Sequence, residues 1–168
     1  MRAFALTAFA AVSLASLALA ACSPPAEAPK EPDSAPRAPA VLAGVDLSSP
    51  LRAIGTEPFW AVELTGSEMV YSGADRPEQR APQGQPTMQG TMAIWEGTTG
   101  AGNPLKVTLT ATDCSDGMSD RTYPLTAMVQ IGEETLMGCA ATISAIASTG
   151  ESGRVVDGAQ PETAQPAG

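Results

Sequence analysis

The chain has 168 residues, with 18 acidic and 9 basic side chains and a formal charge of −9. That acidic balance repels phosphate and argues against a nucleic-acid partner. The complete lack of histidine excludes Ser-His-Asp and Cys-His nucleophile activation within one chain, and histidine-ligated zinc as well, so carboxylate chemistry or no chemistry remains.

Residues 1–21 have the three parts of a secretory signal. Arg2 supplies the positive charge. Ala3 to Ala18 form an apolar run broken only by Thr7, Ser13 and Ser16, and the small residues Ala20 and Ala21 close it. Leu19-Ala20-Ala21-Cys22 resembles the lipobox of bacterial lipoproteins, whose cysteine becomes the acylated first residue of the mature chain. The resemblance implies a cell-envelope protein held to the membrane through lipid on Cys22. Ser23, in place of Asp, implies the outer membrane by the same resemblance, with the domain facing the periplasm. A plain secretory signal or an uncleaved anchor are the alternatives. The run just reaches the roughly 20 residues of a span, but it is Ala-rich and no basic cluster follows it.

Residues 22–41 are rich in Pro and Ala with alternating charges, and are expected to be a semi-extended tether. Loss of Arg2 with residues 1–21 removes one of the nine basic side chains, so the mature chain carries a formal charge of −10. With Cys22 acylated, Cys114 and Cys139 remain as an even pair in an oxidising compartment, and a disulfide is expected between them. Closing that loop is worth roughly 3.5 kcal/mol on a chain-entropy estimate.

Residues 42–148 read as one small all-β domain, an antiparallel barrel or sandwich, because the apolar pattern has a period of two. Phe59 to Leu64 and Met69 to Tyr71 flank a hairpin turn at Thr65-Gly66-Ser67. Arg76 to Pro86 is expected to be a polar loop, and Thr87 to Trp95 a strand weakened by Gly90. Leu105 to Ala111 and Leu125 to Ile131 alternate cleanly. Gly132-Glu133 reads as a turn before a strand from Thr135 to Ala140. A helix fits only near Ala140 to Ser148, with a short helical turn possible near Val45 to Leu51. Residues 149–168, rich in Gly, Gln, Glu and Pro, are expected to be a disordered tail.

Two segments stand out. Gly55-Thr56-Glu57-Pro58-Phe59-Trp60 is one. The other runs from Cys114-Ser115-Asp116-Gly117-Met118 through Ser119-Asp120-Arg121-Thr122-Tyr123-Pro124 and is followed by Gly138-Cys139. Together they resemble an uncharacterised family of bacterial periplasmic proteins and lipoproteins with G-[TN]-E-P-F-W and C-x-D-x-M-S-x-R-x-Y-P motifs, a domain also found upstream of META domains. The resemblance covers about residues 51–140 and implies no particular activity. Phe59 and Trp60 are adjacent and face opposite ways, so one fills the core. Glu57 either caps a turn or pairs with Arg121.

The expected function is non-catalytic binding or scaffolding, with a protein partner in the envelope and with no cofactor or metal. The candidate recognition residues are Trp60, Asp116, Ser119, Arg121 and Tyr123. A cation site at Asp113, Asp116 and Asp120 lacks calcium-loop spacing. The anchor, disulfide and acidic charge also resemble membrane-bound inhibitors of c-type lysozyme, which implies insertion of the Ser119-to-Tyr123 segment into a basic enzyme's cleft. A carboxylate-dependent hydrolase drawing on Glu57, Glu63, Asp113, Asp116 or Asp120 is the third reading.

Overall fold

The computed structural model describes residues 40–74 and 76–158. Cys22, the segments 1–21 and 22–39, and residues 159–168 lie outside them. The elements in chain order are β1 (Val41–Leu42), β2 (Val45–Asp46), β3 (Leu51–Thr56), β4 (Phe59–Leu64), β5 (Glu68–Gly73), β6 (Arg76–Pro82) and β7 (Thr87–Gln89). They continue with β8 (Met92–Thr98), β9 (Pro104–Thr110), β10 (Asp120–Thr122), β11 (Leu125–Ile131), β12 (Glu134–Thr142), α1 (Ile143–Ser148) and β13 (Ser152–Arg154).

The domain is all-β, as the period-two pattern requires. Nine strands form one antiparallel sheet in the order β6-β5-β4-β3-β12-β11-β9-β8-β7. The sheet curls into a half-barrel around the larger of two apolar clusters. Leu51, Ala53, Val62, Leu64, Tyr71, Leu105, Val107, Leu109, Ala127 and Val129 point into it, and each has at most 2% of its surface exposed. Their alternates on the same strands face outward. The curl brings the β8–β9 turn against β6. There the Gly100 amide donates to the Arg80 carbonyl (3.1 Å), and the Asn103 side-chain amide donates to Gln79 Oε1 (2.9 Å).

Arg76 to Pro82 is an edge strand and not a loop. Ala81 is its inward anchor, with 0% of its surface exposed, and an edge tolerates Pro77 and Pro82 because their missing donors break no interior ladder. The strand foreseen at Thr87 to Trp95 is two strands, since Gly90 at φ +58° turns the chain between β7 and β8. Val45 to Leu51 contains no helix. It begins as β2, paired with β1 across a turn at Ala43 and Gly44, and Leu42, Val45 and Leu47 close one end of the core. The helix starts only at Ile143 because Ala140 and Ala141 still belong to β12.

The tail expectation also fails for residues 149–158. Strand β13 pairs in parallel with β10, and Val155 is fully buried. Val155 joins Tyr123, Cys139, Ala141 and Ala145 in a second apolar cluster on the outer face of β12. Thr142 caps α1 by accepting from the Ala145 amide, and its hydroxyl donates to the Asp157 carboxylate (2.8 Å). A burial of this kind holds a segment whose composition alone reads as unstructured.

Candidate functional site

The segment from Asp113 to Pro124 is built as a pinned loop. Cys114 and Tyr123 exchange backbone hydrogen bonds (2.9 and 2.8 Å), which pinches the loop shut at its base. The Cys114–Cys139 disulfide ties that base to β12, with a Cα–Cα distance of 5.5 Å. Between the two ends the chain turns at Gly117, where φ is +72° and a side chain would be strained.

Asp116 organises the interior of the loop. Its carboxylate accepts from the Met118 amide (3.0 Å), the Ser119 amide (2.8 Å), the Ser119 hydroxyl (2.8 Å) and the Tyr123 hydroxyl (3.2 Å). Burial alone would push the pKa of this carboxyl up, but the donated hydrogen bonds, led by the Ser119 and Met118 amides, outweigh it and hold the group below the usual carboxylate range. Burial pushes the Tyr123 phenol upward. The Asp116 carbonyl accepts from the Thr56 hydroxyl (3.2 Å) and so fastens the loop to β3.

Arg121 does not pair with Glu57. Its Nε donates to the Gly150 carbonyl (2.6 Å) and its Nη2 to the Thr149 carbonyl (3.0 Å). Thr149 is the C-cap of α1, so the cation sits where helix carbonyls lack partners and the helix dipole is negative. This places Arg121 as the clasp between the loop and residues 149–150.

Trp60 lies inside the half-barrel with 4% of its surface exposed. It fits because two glycines leave room for it. A Cβ on Gly55, its cross-strand partner, would stand 2.1 Å from the indole nitrogen. A Cβ on Gly138 would stand 2.9 Å from the indole Cζ2. Phe59 is the outward member of the aromatic pair, with 59% of its surface exposed.

The candidate recognition residues therefore separate. Asp116, Ser119 and Tyr123 form one network and Arg121 a neighbouring clasp, while Trp60 belongs to the core. Tyr123 has no exposed surface. The Ser119 and Arg121 side chains that the lysozyme-inhibitor resemblance would send into a cleft are spent on the domain itself. Of the five carboxylates considered for hydrolysis, Glu63 pairs with Arg52 (2.9 Å), Asp113 with Arg154 (2.7 Å), and Asp116 serves the loop. Among the described residues no three of His, Cys, Asp and Glu are grouped to hold a metal. No helix among them is long and apolar enough to cross a membrane.

What the domain does expose is a pair of adjoining grooves beside the loop. A groove of about 460 Å³ runs between the loop and the outer sides of β3 and β12, lined by Ile54, Glu57, Cys114, Asp116, Met118 and Met137. A second, of about 470 Å³, continues over β3 and β4 past Ile54, Phe59 and Ala61. The two share Ile54, Gly55 and Thr56. Met118 and Met137 have 69% and 59% of their surface exposed. Phe59 and Met137 are not among the residues expected from sequence. The available signal was their outward place in the alternation, since Leu136 and Trp60 beside them point inward. No family model, no curated protein and no solved structure matches the chain.

Proposed function

We propose that the chain is a lipid-anchored domain of the bacterial cell envelope that binds or scaffolds without performing chemistry. The Leu19-Ala20-Ala21-Cys22 sequence behind an apolar leader supports the anchor, with the outer membrane as its site and the periplasm as the domain's compartment. The binding surface in this reading is the paired groove over β3, with the pinned loop as its rigid wall.

One observation carries the binding reading. Of the five large apolar side chains most exposed among the described residues, three, namely Phe59, Met118 and Met137, line these two adjoining grooves. Scattered exposed apolar side chains need no explanation, whereas a contiguous set marks an interaction site. The wall is preorganised by a disulfide and four hydrogen bonds to one carboxylate, so a ligand meets little ordering cost there.

Hydroxyl-radical footprinting in intact cells tests it. Phe59, Met118 and Met137 should label more slowly in the envelope than in the purified chain, while Met88, exposed on β7 away from the grooves, labels equally in both. Equal labelling of all four residues in cells and in solution would reject the groove as an occupied surface.

A further inference from the structure

We propose that Met118, Met128 and Met137 form a thioether site for a soft monovalent cation, of which Cu(I) is the biological representative. The inference rests on the grooves being the ligand-binding face, and it names a ligand class for one of them.

The strand register sets two of the methionines side by side. Met128 on β11 lies directly opposite Met137 on β12. Both point outward, because their neighbours Ala127, Val129, Leu136 and Ala140 fill the core. Directly opposed residues on one face have Cβ atoms about 5 Å apart. The third methionine comes from the loop: Met118 lines the same groove as Met137, and Met128 stands beside Met137 just outside that lining.

Packing does not explain Met118 and Met137. Methionine is among the residues most often fully buried. Met69 shows that use here, with none of its surface exposed. Met118 and Met137 instead hold most of their surface in water. Each thioether is an uncharged, polarisable donor on three rotatable bonds, which lets several converge on one ion. Soft sulfur donors select Cu(I). The two cysteines are joined to each other, so thioethers are the soft donors of this face.

The surroundings suit a cation of low charge. Glu57 and Asp116 line the groove, and no Lys or Arg does. A hard divalent ion finds little, because the Asp116 carboxylate already accepts four hydrogen bonds. Both supports of the site are fixed, one by the sheet and one by the disulfide and the Asp116 network. Binding then orders three side chains and displaces water. No proton leaves a thioether, so affinity should hold constant from about pH 5 to pH 8, where a thiolate or imidazole site would change steeply.

The test uses the full chain in detergent, carrying ¹³C-methyl methionine, in chloride-free buffer. Ag(I), a redox-inert stand-in for Cu(I), is added while the methyl resonances are followed. The Met118, Met128 and Met137 methyls should shift together and saturate at one ion per chain, while those of Met69 and Met88 stay fixed. Cu(I) competition against a chromogenic chelator should show that Met137→Leu, a volume-conserving change, weakens binding about tenfold or more, and that Met88→Leu leaves it unchanged. Unmoved methyls, a Met88 shift parallel to that of Met137, or wild-type affinity in Met137→Leu would each overturn the proposal. Groove protection in cells from a chain that binds no silver would reject the ion alone. Silver binding without that protection would reject the occupied groove and leave the site standing.

Discussion

Gly55→Ala is the sharpest test of how the core is assembled. Gly55 is absent from the positions with positive φ, so alanine meets no backbone strain there and the effect is purely steric. The added methyl would stand 2.1 Å from the Trp60 indole nitrogen, 2.4 Å from Cε2 and 2.9 Å from Cζ2. Ordinary carbon contacts lie near 3.5–4.0 Å, so the ring must retreat by about 1.5 Å or leave its place. Overpacking of this kind costs about 1–3 kcal/mol. Expelling an indole that is only 4% exposed costs at least as much. Alanine recovers about 0.4–1 kcal/mol by restricting the unfolded chain. The net expectation is a loss of about 2 kcal/mol, read by urea unfolding, with a red shift in tryptophan emission as the indole meets water. Trp60→Leu alone should cost about 3 kcal/mol through lost packing. The double variant should cost less than the sum by about 1.5 kcal/mol, because the leucine vacates the space the methyl needs. A neutral Gly55→Ala, or strict additivity in the cycle, would refute the interlock of Trp60 with its glycine.

Asp116→Ala removes the acceptor for four donors, including that of a fully buried tyrosine, and should cost about 2–3 kcal/mol by chemical denaturation. The folded-state pKa of Asp116 is depressed, so its stabilisation is present above about pH 4 and is lost as the pH falls toward the folded value. The variant should therefore lose less stability than the wild type between about pH 4 and pH 2, and equal acid sensitivity would contradict the network. Joint replacement of Cys114 and Cys139 by alanine should cost about 3 kcal/mol and loosen the loop in hydrogen exchange. Arg121→Gln should cost about 1–2 kcal/mol and speed exchange at residues 149–155 before it affects the nine-stranded sheet. Unchanged exchange there would show that the clasp contributes nothing.

Legibility from sequence followed the strength of local patterns. Leu105 to Ala111 and Leu125 to Ile131 alternate without interruption, and both became central strands. The two cysteines gave the disulfide by compartment and number. Strand β6 was hidden because Pro77 and Pro82 punctuate it, and only its edge position makes them tolerable. Strand β3 was not marked by the Gly55-to-Trp60 motif, in which Gly55 serves as space for an indole, a demand that only the fold reveals. Residues 149–158 look unstructured because their hold on the domain comes from non-local contacts, chiefly Val155 in the second cluster and the Arg121 clasp. At the site, the motif residues were visible but their orientation was not. Asp116, Ser119 and Arg121 turn inward to one another and to the backbone, and Met118 is left outside. Polar residues in a specific motif suggested recognition, yet the hydrogen-bonding demands of a tight turn absorb them.

Mass spectrometry of the chain purified from its native envelope decides whether the protein is lipid-anchored and oxidised. A mature N-terminus at Cys22 carrying acyl groups is expected, together with a peptide pair cross-linked through Cys114 and Cys139. An intact leader on an unmodified Cys22, with free thiols at the other two positions, would contradict both.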